Sequence, residues 1–266
     1  MKVNIGHCSI NLERSGNTSG PSVVMAHSLG CNLHMWAPQM ASLEADFDVI
    51  RLDMRGHGLS DAPEGPYTLD ELADDVIAVM DELEVSQAHW VGLSIGGMIG
   101  QSLLLRYPER FDSAVLCDTM SALPEGASAI WDERIKTVET DGLGSIKQAT
   151  LERWFTSDFL ASGAPEIAAV AEQIDQATDT GYIGCCHAIS GLDYMQRLGD
   201  INTSVLIIAG AEDVATPVSA SQAMQERIPG SRLVVISDAA HIANVEQPQA
   251  FNDALMPFLQ RAKATR

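Results

Sequence analysis

Gly92-Leu93-Ser94-Ile95-Gly96 decides the fold of this chain. An apolar run, Ala88-His89-Trp90-Val91, leads into it and reads as a buried strand. Gly97-Met98-Ile99-Gly100-Gln101-Ser102-Leu103-Leu104-Leu105 leads out and is compatible with a helix. A serine between two glycines at a turn from strand to helix is the nucleophile-elbow pattern. The spacing has a steric cause. The turn is strained, so side chains two residues either side of Ser94 must be nearly absent. The hydroxyl then projects from the end of the sheet, beside the N–H of Ile95. The bland alternative is that Ser94 only caps the following helix.

Outward from this turn, short apolar runs bounded by turn residues recur at a steady pace. Val3 to Ile5 and Ser9 to Leu12 suggest a hairpin. Val23–Ala26, Asp48–Leu52, Ala88–Val91, Ser113–Cys117, Ser204–Ala209 and Arg232–Ile236 complete eight predicted strands. Helical segments alternate with them. Leu69 to Leu83 carries Leu72, Val76, Val79 and Leu83 on one face, with Thr68 or Asp70 as its cap. Others follow Ser94 and Pro217, and one runs from Pro248 to Ala264. This alternation predicts an α/β fold: an eight-stranded, mostly parallel sheet with helices on both faces. The rhythm breaks between Leu123 and Leu198, where only helical pieces are found (Ala127–Thr140, Ser145–Phe155, Pro165–Ala177 and Thr180–Ser190). The expected organisation is a core in two parts, residues 1–122 and 199–266, with a helical cap over residues 123–198 inserted between the sixth and seventh strands.

Sites in open parallel sheets gather at the carboxyl ends of the strands. After the third strand stands His27-Ser28-Leu29-Gly30, a loop able to turn the Leu29 N–H toward Ser94; with the N–H of Ile95 it would make a two-donor oxyanion hole. His27 reads as a loop brace. Asp53-Met54-Arg55-Gly56-His57-Gly58 follows the fourth strand. His57 is a rival base there, although tight turns and an Asp–Arg brace account for the same residues. Glu212 and Asp213 follow the seventh strand, and His241 follows the eighth. The order serine, acid, histidine matches the nucleophile-elbow hydrolases: Ser94 attacks, His241 relays the proton and Asp213 orients the imidazole. Glu212 and Asp118 are the rival acids.

These residues resemble the α/β-hydrolase fold family along essentially the whole chain, and within it the chain is most similar to the 3-oxoadipate enol-lactonases. The resemblance is carried by Ser28-Leu29-Gly30 with Leu33-His34-Met35-Trp36, by Arg55-Gly56-His57-Gly58 with Gly65-Pro66-Tyr67-Thr68, and by Gly92-Leu93-Ser94. Arg153-Trp154-Phe155-Thr156, Gly181-Tyr182 with Cys186, and Ala240 to Pro248 continue it. It implies a Ser-Asp-His triad, no cofactor and no metal, an acyl-enzyme, and hydrolysis of a small enol-lactone that carries a carboxylate, in aromatic catabolism. Trp131, Arg134, Arg153 and Trp154 are the substrate-binding candidates. An arginine would meet the carboxylate beneath an aromatic wall, against the alternative of solvated arginines and tryptophans that pack the cap. A generalist short-chain carboxylesterase, a serine-dependent C–C bond hydrolase and a non-catalytic ligand receptor remain open on the same fold.

Composition narrows the partners. With 16 Lys and Arg against 36 Asp and Glu, the formal charge is −20. Such a surface repels phosphate backbones and anionic membranes, so the expected partner is a small ester or lactone, with neither nucleic acid nor membrane. No apolar run reaches the ~20 residues of a membrane span, and the first residues lack a signal-like apolar segment, so a cytoplasmic location is expected. The cysteines Cys8, Cys31, Cys117, Cys185 and Cys186 show no zinc-ligand spacing and are expected to be reduced, with Cys117 and the adjacent pair in packing roles.

Overall fold

A computed structural model describes residues 1–263. The sheet has eight strands: β1 (Lys2–Asn4), β2 (Ser9–Gly16), β3 (Ser22–Ala26), β4 (Asp48–Leu52), β5 (Ala88–Leu93), β6 (Phe111–Cys117), β7 (Ser204–Gly210) and β8 (Arg232–Ile236). Their spatial order is β1-β2-β4-β3-β5-β6-β7-β8. β1 pairs with β2, and β2 with β4, antiparallel; every other pairing is parallel. The alternation of Val, Ile and Leu with small residues becomes near-continuous burial in β3 to β7, as a sheet covered on both faces requires.

Helices α1 (Ala37–Leu43), α2 (Leu69–Glu82) and α3 (Ile95–Arg106) accompany the first half. Thr68 caps α2 through a reciprocal box with Glu71, which decides between the two caps considered from sequence. α2 packs on α3, which packs on β5. Between β6 and β7 lie α4 (Ala127–Asp141), α5 (Lys147–Trp154), α6 (Ser157–Ser162), α7 (Pro165–Gln176) and α8 (Asp179–Ser190). An isolated bridge from Ala122 to Asp193 ties the two ends of this five-helix segment. α9 (Val218–Arg227), α10 (Ala243–Glu246) and α11 (Pro248–Lys263) complete the chain, with α11 against α1, β6 and β7. The predicted end of α11 at Ala264 lies outside the described residues.

The chain runs from β3 outward to β4 and returns to β5 on the other side of β3. That reversal opens a crevice at the carboxyl ends of β3 and β5, so the loop after β3 and the turn carrying Ser94 become neighbours.

Candidate active site

The Ser94 turn is built by close backbone approach. Ser94 holds φ 58° and ψ −116° between the last residue of β5 and the first turn of α3. Its N–H donates to the carbonyl of Cys117 (2.9 Å), and its carbonyl accepts from Thr119 Oγ1 (2.7 Å). A Cβ on Gly92 would stand 2.1 Å from the carbonyl oxygen of Gly96, and one on Gly96 would stand 2.5 Å from that of Ala26. Both glycines are therefore required by contact, two residues either side of the serine. The Ser94 hydroxyl makes no capping hydrogen bond, which removes the helix-cap alternative.

Asp213 lies on the loop after β7 and His241 on the loop after β8. His241 Nδ1 and Asp213 Oδ2 are 2.8 Å apart, and both side chains are buried. The carboxylate is filled from its own loop: Oδ1 accepts the N–H groups of Ala215 (2.7 Å) and Thr216 (2.9 Å), and Oδ2 accepts the Thr216 hydroxyl (2.5 Å). Burial pushes Asp213 upward, but the adjacent His241 and the Thr216 hydrogen bonds outweigh it and hold the carboxyl below the usual carboxylate range. Glu212 is exposed. Asp118 is fully buried, accepts the N–H of Gly210 at 2.7 Å and is pushed well up by burial and by the charge of Asp213. Of the three acids only Asp213 contacts the imidazole among the described residues. Thr216 is the contributor that sequence reading missed, since a threonine before a helix carries no signal of its own.

Ser94 and His241 line one cavity of about 330 Å³, together with Ser28 and Leu29 from the loop after β3. The N–H groups of Leu29 and Ile95 donate to no group of the protein among the described residues. Met98, Met120, Leu123 and Ile189 make much of the wall apolar. The five-helix segment supplies Trp131, Arg134, Arg153 and Trp154 to the same cavity. Arg134 Nη1 donates to the Tyr182 hydroxyl at 3.0 Å and its guanidinium lies 5.5 Å from the centre of the Trp131 ring. Arg153 keeps much of its surface in solvent, yet desolvation of its guanidinium and then the charge of Arg134 pull its pKa below the ordinary value. Neither arginine pairs with a carboxylate among the described residues. Trp154 is buried with its ring 6.1 Å from that of His241. A second tie joins the same elements: Glu246 Oε2 accepts the N–H of Ala240, and its Oε1 accepts both the N–H and the hydroxyl of Thr156.

His57 is not free to act as a base. Its Nε2 accepts the N–H of Gly30 at 2.9 Å, and burial first and His27 second press its pKa down to about 3. The expected Asp–Arg brace exists with a different acid: Arg55 forks onto Asp75 of α2, at 2.5 Å for each bond, while Asp53 accepts from Asn11, Leu33 and Leu59. Among the described residues His7, Cys8 and Asp75 lie close enough to share a metal ion, but Arg55 already occupies both oxygens of Asp75. All five cysteines are free and buried, the adjacent pair Cys185 and Cys186 included. No helix among the described residues is long and apolar enough to cross a membrane.

The alpha/beta hydrolase fold matches residues 21–248. The chain belongs to this family. It is 38% identical over 253 residues to 3-oxoadipate enol-lactonase 2 of Acinetobacter baylyi, covering 95% of this chain and 94% of that protein. A hydrolase from Pseudomonas aeruginosa superposes with a TM-score of 0.94 at 36% identity, over 97% of both chains. The enol-lactonase of Burkholderia xenovorans also superposes at 0.94, with 33% identity over 98% of this chain and 100% of that one. With relatives this extensive, the protein is a hydrolase of the alpha/beta family, and its fold is the one that the Ser94 turn announces.

Proposed function

We propose that this hydrolase opens small carboxylic esters or lactones, with an enol-lactone bearing a carboxylate as its preferred class. Ser94 Oγ attacks the acyl carbon while its proton passes to Nε2 of His241. Asp213, already bonded to Nδ1, keeps the imidazole in the tautomer that can accept, and balances the imidazolium that forms. The negative charge that develops on the acyl oxygen takes the unused N–H groups of Leu29 and Ile95. Collapse breaks the acyl C–O bond, and His241 returns the proton to the leaving oxygen, which in a lactone stays tethered to the acyl chain. Water then deacylates Ser94 by the same proton route, giving a carboxylate and regenerating the hydroxyl.

The observation that carries this reading is the Asp213–His241 contact of 2.8 Å in a cavity that Ser94 shares. The substrate's charge is read from the arginines. Two guanidiniums without an acidic partner, in a cavity walled by methionine, leucine and tryptophan, suit a small organic anion far better than a neutral ester. Residues 123–198 serve as the cap, holding that anion over the core formed by residues 1–122 and 199–266.

A panel of carboxylate-bearing enol-lactones, neutral lactones and short p-nitrophenyl esters tests the reading. The expected result is the highest kcat/KM for the anionic enol-lactone. Arg134→Ala and Arg153→Ala should lower kcat/KM for the anion by roughly 10-fold or more, as a lost charge-assisted hydrogen bond implies, and leave neutral esters nearly unchanged. Equal turnover of neutral esters and the anion by the native enzyme would favour a generalist carboxylesterase, a reading that the apolar wall also accommodates.

A further inference from the structure

Two fully buried histidines join the loop after β3 to the loop after β4, and they do so reciprocally. His27, on the first loop, accepts the N–H of Met54, on the second, at Nε2 (3.1 Å). His57, on the second loop, accepts the N–H of Gly30, on the first, at Nε2 (2.9 Å). A backbone N–H can only donate, so each Nε2 is bare and each ring carries its proton on Nδ1. Those protons have acceptors: His27 Nδ1 lies 2.8 Å from the carbonyl of Ser28, and His57 Nδ1 lies 3.2 Å from that of Arg55. The ring centres are 5.3 Å apart. Every polar atom of both rings is used, and neither ring has a lone pair left for substrate.

The consequence falls on Leu29. The N–H of Leu29 belongs to the peptide unit whose carbonyl is that of Ser28. In a trans peptide the carbonyl and the N–H point in opposite directions, so fixing one aims the other. The Ser28 carbonyl is fixed twice, by His27 Nδ1 at 2.8 Å and by the N–H of Cys31 at 3.0 Å. The next peptide unit, between Leu29 and Gly30, is fixed by His57 through the N–H of Gly30. Both units flanking the Leu29 Cα are thereby held, which determines its φ and ψ. Gly30 takes φ 80°, the left-handed conformation that lets the loop turn there.

We propose that His27 and His57 are positioning residues for the oxyanion: acting through the Ser28 carbonyl and the Gly30 N–H, they aim the N–H of Leu29 at the acyl oxygen. This rests on the role proposed above for Leu29. Loops are ordinarily the least constrained parts of a fold, and a donor displaced by a fraction of an ångström loses most of its effect on a developing charge. The bracket supplies the preorganisation that a glycine-containing loop lacks.

The test uses the full chain and a short p-nitrophenyl ester. His57→Leu removes the acceptor for Gly30, and His57→Gln offers a side-chain carbonyl in its place. In folded protein, checked by thermal midpoint, His57→Leu should lower kcat by roughly 10- to 100-fold, short of the loss of a whole oxyanion donor, with KM within about twofold. Labelling of Ser94 by a fluorophosphonate should slow in parallel, and His57→Gln should recover most of both. His27→Leu should act in the same direction. A folded His57→Leu with kcat within about twofold of the native value overturns the proposal. Nitrogen NMR of the native protein provides a check that needs no variant to fold: both rings should be Nδ1–H tautomers, and an Nε2–H tautomer at either would overturn the bracket. Ser94→Ala separates the two claims. If it retains turnover, the serine mechanism itself fails; if it is silent while folded His57→Leu is unimpaired, only the bracket fails.

Discussion

Ser94 sits at φ 58° and ψ −116°, a conformation that non-glycine residues adopt at a cost of about 1–3 kcal/mol. The hydroxyl makes no bond that caps α3, so the strain is not repaid locally. Ser94→Ala is therefore expected to abolish turnover with a thermal midpoint near the native one. Ser94→Gly should also abolish turnover, yet gain up to about 2 kcal/mol, because relief of strain exceeds glycine's entropic penalty of about 0.5–1 kcal/mol. Urea unfolding of the two variants decides this, and a Ser94→Gly protein weaker than Ser94→Ala would refute it. The buried histidines set a second expectation. His57 titrates at about 3 in the fold against 6.5 when unperturbed, and His27 is lowered in the same direction, each chiefly by burial. Below pH 6.5 the unfolded chain takes up protons that the folded chain refuses. For His57, stability is thus fully present above that value and falls as the pH drops toward about 3, by up to about 1.4 kcal/mol per pH unit, and His27 acts in the same direction. Denaturant titrations across this range measure the slope, and a flat profile would show that the rings are not held neutral. The placement of Ser94, Asp213 and His241 at one edge of the sheet was legible in the sequence because each stands on the turn or loop that follows a strand of an open sheet. Thr216 and Glu246 were not, since their roles depend on which backbone happens to face them.

The elements most legible in the sequence were those with a long period. The eight strands and the long helices α2, α3 and α11 follow from apolar patterning, with shifts of a residue or two at most ends, while β2 runs four residues beyond the expected Leu12 to Gly16. The short helices α1, α6 and α10 were missed, because seven, six and four residues hold too few turns for a face to show. What pattern could not show is how α8 seats on the core. Gly181 of α8 crosses Gly56 so closely that a Cβ on Gly181 would stand 2.2 Å from the Gly56 Cα. Beside that crossing, both the N–H and the hydroxyl of Thr178 donate to the Gly56 carbonyl, at 3.4 and 3.0 Å. Gly181→Ala pits two effects against each other. Alanine favours the helix by about 1 kcal/mol, but overpacking against unyielding backbone costs about 1–3 kcal/mol. The clash should win, so the midpoint of unfolding should fall; a rise would mean that α8 can lift from Gly56 without penalty.

At the scale of the whole molecule the dominant fact is the formal charge of −20 on 266 residues. Several acids are paired in ion bridges at the surface, such as Lys2 with Asp61 and Lys147 with Asp175, but most of the excess has no cation to meet. Exposed pairs of this kind contribute little, so self-repulsion should govern the response to salt. Raising NaCl from about 0.01 M to about 0.5 M shortens the screening length from roughly 30 Å to under 10 Å, and the thermal midpoint should rise. A fall would mean that the bridges outweigh the repulsion. The Trp154 ring, 6.1 Å from the imidazole of His241, has one more consequence. Trp36 and Trp90 are sealed in the core, so Trp154 is the indole best placed to sense that imidazole. Protonated imidazoles quench indole emission, and the molecule thereby carries an intrinsic optical gauge of the charge on the His241 ring, readable without a substrate or a dye.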